Sequence, residues 1–148
     1  MSTNVTPNLG LCQWEAGDPV LREDFNRDNA LLDAFFAGSP KIAAGAYTGA
    51  GVFGANEEPC TLEFDFQPQL VIVVPDTQLS LYGTLVLVQG QSACNGSGFL
   101  DSSNRGLNLA VSWGEKSVSW YCTSGGSAEK QFNADDTSYR YFAIGKAT

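Results

Sequence analysis

The chain has 148 residues, enough for one well-packed domain with an appendage and too few for two ordinary domains. Sixteen acidic residues against eight basic ones give a net charge of −8, with the acids spread along the chain, which disfavours nucleic acid and anionic membrane as partners. There is no histidine, so Ser-His-Asp and Cys-His catalysis and histidine-based metal sites are excluded.

Residues 1–11 are polar, contain Pro7 and Gly10, and read as an extended arm. They have neither the basic start nor the apolar stretch of a signal peptide, so synthesis and assembly in a cytoplasm are expected. A helix is predicted over 19–37. Asp18 suits its N-cap, Pro19 its first position and Gly38 a left-handed stop, with Ser39-Pro40 preventing continuation. At 100° per residue, Leu21, Phe25, Leu32, Phe35 and Phe36 share one side, and Asp28 interrupts it. Glu23 and Arg27 stand four apart and support the helix. An isolated helix of this length is marginal in water. Its apolar stripe packs either on the chain's own β region or against other copies, in which case Asp28 needs an Arg27 or Asn29 from a neighbour.

After Pro40 the period changes from helical to alternating. Strands are expected at 41–47, 61–66, 70–74 and 79–89, with a Gly-rich connection over 48–59 and a break at Gln67-Pro68-Gln69. The wholly apolar run Leu70 to Val74 calls for cover on both faces, and it is far too short to span a membrane. Residues 91–105 read as a long loop around a short element at 98–100. A hairpin follows, in which Leu107, Leu109, Val111 and Trp113 alternate with polar or small residues, turn at Gly114-Glu115-Lys116, and continue as Val118, Trp120 and Cys122. A small-residue loop at 123–128, a short strand at 130–132, a polar turn at 133–138 and a final strand at 139–144 complete the chain. About eight short strands with no helical period argue for an antiparallel sandwich. Its expected core includes Phe64, Val71, Val73, Val111, Trp113, Val118 and Trp120.

Two stretches resemble a known family. Trp14, Glu15, Asp18, Arg22, Asp24, Phe25, Asn26, Asp28, Asn29, Ala30, Leu32, Asp33 and Ala34 form a pattern similar to the N-terminal module of tail-fibre and baseplate-appendage proteins. Those proteins come from tailed bacteriophages and prophages of Gram-positive bacteria. The run Gly45 to Gly51, the run Thr61 to Val73 and the ending Tyr139 to Gly145 resemble the β-sandwich modules of the same fibres. The middle of the chain, 78–136, carries no recognisable motif, and such proteins vary there in what they bind. The resemblance implies a mainly β chain, with an arm and attachment helix over 1–40 and an antiparallel sandwich over 41–148, assembled as a homotrimer. It implies a seam built on Leu21, Phe25, Asp28, Leu32, Phe35 and Phe36. It further implies a virion protein of the tail, joined to other tail or baseplate proteins through its arm and attaching to a host-surface glycan. The alternative is a purely architectural plug or decoration protein.

Chemistry beyond binding finds little footing. The Gly49-Ala50-Gly51-Val52-Phe53-Gly54 spacing lacks the following helix that a phosphate loop needs. Glu57-Glu58 and Asp135-Asp136 sit in polar turns and read as solvated surface rather than as a glycosidase or calcium pair. The four cysteines have no Cys-x-x-Cys pair; free thiols are expected, with Cys60 and Cys122 in strands and Cys94 in a loop. No enzyme activity, cofactor or metal is expected. Trp113 and Trp120 fall in phase with the core, leaving Tyr121 and Tyr82 as surface aromatics. Asn95, Asn104, Arg105 and Tyr121 are the candidate ligand-binding residues, on the loops flanking the hairpin.

Overall fold

The computed structural model describes residues 1–56, 59–76, 83–100, 106–123 and 126–148, with backbone alone at 94–100 and 106–108. The chain is mainly β with one helix, and all its strand pairs are antiparallel among the described residues. It divides into two compact units, Met1–Ser39 and Pro40–Thr148.

In the first unit the arm is pinned rather than free. Strands β1 (Asn4–Val5) and β2 (Cys12–Gln13) pair through a turn in which Thr6 supplies backbone and side chain. The helix α1 spans Arg22–Gly38, starting later than the sequence predicts. Leu21 is its N-cap and no side chain caps it, because the Asp18 carboxylate is spent elsewhere. That carboxylate accepts from the Thr3 amide at 2.8 Å, the Thr3 hydroxyl at 2.5 Å and the Glu15 amide at 2.9 Å. An arm residue far off in sequence thus outcompetes the helix end for the same acceptor. At the other end Gly38 stays helical, and the Ser39 hydroxyl closes the last turn by donating to the Phe35 carbonyl.

The second unit holds two four-stranded sheets. One has the order β3 (Lys41–Thr48), β10 (Ser138–Lys146), β5 (Gln67–Pro75), β6 (Leu85–Val88); the other has β4 (Cys60–Glu63), β9 (Ser117–Cys122), β8 (Gly106–Trp113), β7 (Ala93–Leu100). The predicted hairpin is present as β8–β9, with Trp113 opposite Val118 and the Gly114 amide closing the turn on Ser117. Period-2 alternation sends Leu62, Val118, Trp120, Leu109 and Val111 from one sheet, and Val71, Val73, Leu85, Leu87, Tyr139 and Ala143 from the other, into one buried cluster. Of the expected core, Phe64 and Trp113 are only partly buried; Trp113 keeps its ring N–H on the Gln91 carbonyl at 3.0 Å.

Four predicted elements differ. Gln67-Pro68-Gln69 does not interrupt β5, since a bulge opposite Ile144 and Gly145 absorbs the proline, which has no N–H to pair. A side chain at Gly145 would collide with the Gln67 carbonyl oxygen and the Phe66 ring, so the close approach there needs glycine. Residues 93–100, read as loop, form β7, because the partner strand β8 supplies the ladder that local propensity does not. Cys94 therefore lies in a strand, opposite Leu109. Residues 130–132, read as a strand, form turns, with Phe132 buried at φ 61°. The strand expected over 79–89 is seen as Leu85–Val88; Tyr82 and the pair Glu57-Glu58 lie outside the described residues.

The anchoring of the arm generates a pH prediction. The Glu15 amide and the Thr3 hydroxyl and amide hold Asp18 below its ordinary pKa. Desolvation raises Asp28, but the Cys12 amide and Arg27 outweigh it and leave the net shift downward. The contribution of such groups is present above the unfolded carboxylate pKa of about 4 and is lost as pH falls through the depressed folded value. The amides of Thr3, Cys12 and Glu15 should therefore lose protection, relative to the unprotected exchange rate at the same pH, below about pH 4 and before the strands of the second unit do. Equal protection of both units down to pH 2 would contradict this.

Candidate functional site

The first candidate surface is the apolar side of α1. Its N-terminal half is covered only in part by the chain's own arm: Asp24 is buried, Asp28 and Leu32 are half-buried, and Trp14 packs on Phe25 with ring centroids 5.0 Å apart. The acidic interruption of the stripe is thereby explained. Asp28 accepts the Cys12 amide at 2.7 Å and meets Arg27 of the same chain at 3.1 Å, so it needs no partner from another copy. The C-terminal half has no such cover. Phe35 is 51% and Phe36 62% exposed, with Leu31 exposed beside them, and Leu21 and Phe25 remain exposed toward the start. Phe35 and Phe36 pack edge to face on each other, 5.6 Å between centroids. Of the six predicted seam residues, four are thus available on the surface, Leu32 is partly so, and Asp28 is committed within the chain.

The predicted ligand-binding residues are partly brought together. Tyr121 on β9 pairs with Ala110 on β8, which pairs with Ala93 on β7, and Asn95 lies two residues further along β7 opposite Asn108. By register, Tyr121 and Asn95 belong to one end of the same sheet and to the same face. Asn104 and Arg105 lie outside the described residues. Around Tyr121 this face carries Thr61, Glu63, Ser112, Ser117 and Ser119, all turned away from the core by the same alternation that buries Leu62, Val111, Val118 and Trp120.

A third feature was missed by sequence reasoning. Residues 126–134 lie against the Gly-rich segment 49–54 through a buried polar hub. Gln131 is fully buried; its side-chain oxygen accepts the Gly54 amide at 2.9 Å and the Cys122 amide at 2.8 Å. Its backbone carbonyl accepts the Trp120 indole N–H at 2.8 Å. Asn133 accepts the Ala50 amide at 3.0 Å and donates to the Val52 carbonyl at 2.9 Å, and Tyr47 donates to the Phe132 carbonyl at 2.6 Å. Gly49 passes so close to the Ala134 carbonyl that no side chain fits there. Beside the hub lies a cavity of 160 Å³ lined by Tyr47, Cys60, Thr61, Leu62, Trp120 and Asn133. The donors of Tyr47, Trp120 and Asn133 are already engaged, which leaves the cavity little polar grip on a ligand. The available signal was two amide side chains flanking Phe132 opposite a glycine-rich segment about 80 residues away, a pairing that no local pattern encodes.

Two of the thiols, Cys60 and Cys122, are unsuited to nucleophilic work. Cys12, Cys60 and Cys122 are free. Burial pushes Cys60 up to about 11 and Cys122 upward as well, so neither forms an appreciable thiolate near neutrality. Among the described residues no cluster of three or more His, Cys, Asp or Glu side chains is placed to hold a metal ion. No protein family, curated protein or solved structure matches the chain.

Two outcomes are expected. Replacing Gln131 with alanine strips the Gly54 and Cys122 amides of their acceptor. At ~1–3 kcal/mol for each orphaned donor, the variant should lose roughly 2–6 kcal/mol in denaturant titration; an unchanged midpoint would refute the hub's role. Burial also raises Tyr47 and Tyr139. Groups with raised folded pKa values stabilise fully below their unfolded values and less as pH rises through the folded ones. Melting temperature should therefore fall between about pH 8.5 and 11, and iodoacetamide should label Cys60 slowly at pH 8 unless the chain is unfolded.

Proposed function

We propose that the chain is a virion structural protein of a phage tail, a fibre or baseplate appendage that mediates attachment to the host surface. In this reading the first unit joins copies into a homotrimer and attaches them to neighbouring tail proteins. The two sheets of the second unit form a β-sandwich that faces outward and engages a host glycan. The observation that carries the assembly step is the apolar stripe of α1: Leu21, Phe25, Phe35 and Phe36 all stay exposed, although the arm buries Asp24 and half-buries Asp28 and Leu32 between them. A monomer exposing such a face beside Leu31 would expose an aggregation liability, and a shared seam removes it. The tail setting rests on the resemblance carried by the helix segment, the Gly45 to Gly51 and Thr61 to Val73 runs and the ending Tyr139 to Gly145.

The binding step is supported by the polar face on which Tyr121 sits, at the end of the sheet that Asn95 shares. An aromatic ring among serine and threonine hydroxyls suits stacking on a pyranose with lateral hydrogen bonds. A single shallow site of this kind binds weakly, and three copies on one fibre raise avidity through effective concentration.

Light scattering of the full chain at micromolar concentration should return the mass of a trimer. Replacing Asn95, Asn104, Arg105 and Tyr121 together with alanine should abolish adsorption to host cells while that mass and the melting temperature hold. A monomeric native chain would defeat the assembly step. Undiminished adsorption by the fourfold variant would defeat this binding site and favour the decoration reading.

A further inference from the structure

Asp18 is followed by Pro19, and the dipeptide occurs once in the chain. Such a bond is acid-labile for two chemical reasons. The proline nitrogen belongs to a tertiary amide and leaves readily once protonated. The aspartate carboxylate can reach its own main-chain carbonyl carbon and close a five-membered ring on it. In the fold this bond lies in the irregular stretch between β2 and α1. Pro19 is exposed and Val20 beyond it is 61% exposed, so water reaches the bond. The carboxylate, in contrast, is tied down. Its Oδ2 accepts the Thr3 amide at 2.8 Å and the Glu15 amide at 2.9 Å, and its Oδ1 accepts the Thr3 hydroxyl at 2.5 Å. The Asp18 amide donates to the Glu15 carbonyl at 3.0 Å across Gly17, which makes that turn at φ 107°. Both carboxylate oxygens are thus held by other residues, and neither can attack the Asp18 carbonyl carbon without giving up donors.

From this geometry we propose that Asp18–Pro19 is a self-cleavage site, blocked while Thr3 and Glu15 hold the carboxylate and opened by acid when the arm lets go. In the step, a carboxylate oxygen bonds to the Asp18 main-chain carbonyl carbon. The bond from that carbon to the Pro19 nitrogen breaks, and the nitrogen takes a proton from the acidic solvent and leaves as a secondary amine. One water then opens the cyclic anhydride, leaving Asp18 with a free C-terminal carboxyl. The net reaction is hydrolysis of one peptide bond. The charged groups on the same turn are the Glu15 carboxylate, engaged by the Asn4 side-chain amide, and the Met1 amino group. Acid acts twice, since it supplies the proton for the leaving nitrogen and weakens the hold of Thr3 and Glu15 on the carboxylate. After cleavage, residues 1–18 are joined to α1 by non-covalent contacts alone. Those include the Cys12 amide on Asp28 and the Trp14 ring on Phe25, and their departure uncovers Asp28.

The test incubates the full chain at about pH 4, near the unfolded carboxylate pKa, and follows fragments 1–18 and 19–148 by intact-mass spectrometry. Near-ultraviolet circular dichroism around Trp120 reports whether the second unit stays folded. Thr3→Pro removes both the amide and the hydroxyl that Thr3 gives to Asp18. Hydrogen bonds to a charged acceptor are stronger than neutral ones, so this variant should cleave roughly tenfold faster than the native chain or more. Thr3→Ala, which removes the hydroxyl alone, should give a smaller increase in the same direction and serves if the proline disturbs the second unit. Adding Pro19→Ala to either variant should abolish the fragments, because the poorer leaving group remains while the arm is equally free. Native and Thr3 variants cleaving at one rate would overturn the role of the arm. Absence of the 1–18 fragment from every chain, or its persistence with Pro19→Ala, would overturn the cleavage site itself.

Discussion

The second unit depends on how the Gln131 side-chain amide is spent. A fully buried amide oxygen must find donors or cost a few kcal/mol, and here it finds two backbone N–H groups from widely separated parts of the chain. One belongs to Cys122 at the end of β9, the other to Gly54 in the glycine-rich segment. The same residue's carbonyl fixes the Trp120 indole, the largest fully buried side chain of the core. Phe132, next in sequence, is held at φ 61°, a backbone conformation that costs a non-glycine residue about 1–2 kcal/mol. That strain persists because Gln131 and Asn133 on either side are over-determined by their hydrogen bonds, and because the Phe132 ring is buried. The small cavity beside the hub follows from the same arrangement. Its polar walls face one another rather than the void, which makes it a packing feature.

The first unit repeats the logic on the surface. Asp18 and Asp28 hold the arm by accepting amides of Thr3, Glu15 and Cys12. A carboxylate in the apolar stripe of a helix is a conflict only while the helix is considered alone. Once the arm brings a backbone amide to it, Asp28 is satisfied within the chain, and the stripe keeps Leu21, Phe25, Phe35 and Phe36 exposed on either side of it.

Charge and hydropathy are distributed unevenly over the β unit. Ile42, Val86 and Phe142 are exposed on one sheet, whereas the face with Tyr121 and its neighbouring hydroxyls belongs to the other. A net charge of −8 makes copies of the chain repel one another. Neutral polar recognition through hydroxyls and one aromatic ring is compatible with that charge, since it asks for no cation.

Much of the fold was legible in the alternation. The β8–β9 hairpin, the buried positions Val71, Val73, Val111, Val118 and Trp120, and the existence of the helix all follow from a period of 2 or 3.6 read over a few residues. Three kinds of feature were not legible. Strand β7 has a polar, small-residue sequence and exists because β8 offers it a ladder. Pro68 sits within a strand because a bulge in that same strand, opposite Ile144 and Gly145, removes the demand for its missing N–H. Asp18 abandons the helix for Thr3 because a distant segment supplies better donors. In the candidate sites the apolar residues of α1 were recognisable from spacing, whereas Gln131 and Asn133 were not, since their partners in the glycine-rich segment lie about 80 residues away. The sequence by itself determined which residues are apolar, which alternate and where the chain turns, because these depend on side-chain chemistry and nearest neighbours. Only the tertiary structure decided which acceptors the buried amides reach and which apolar faces stay uncovered, because both depend on segments that meet only when the chain has folded.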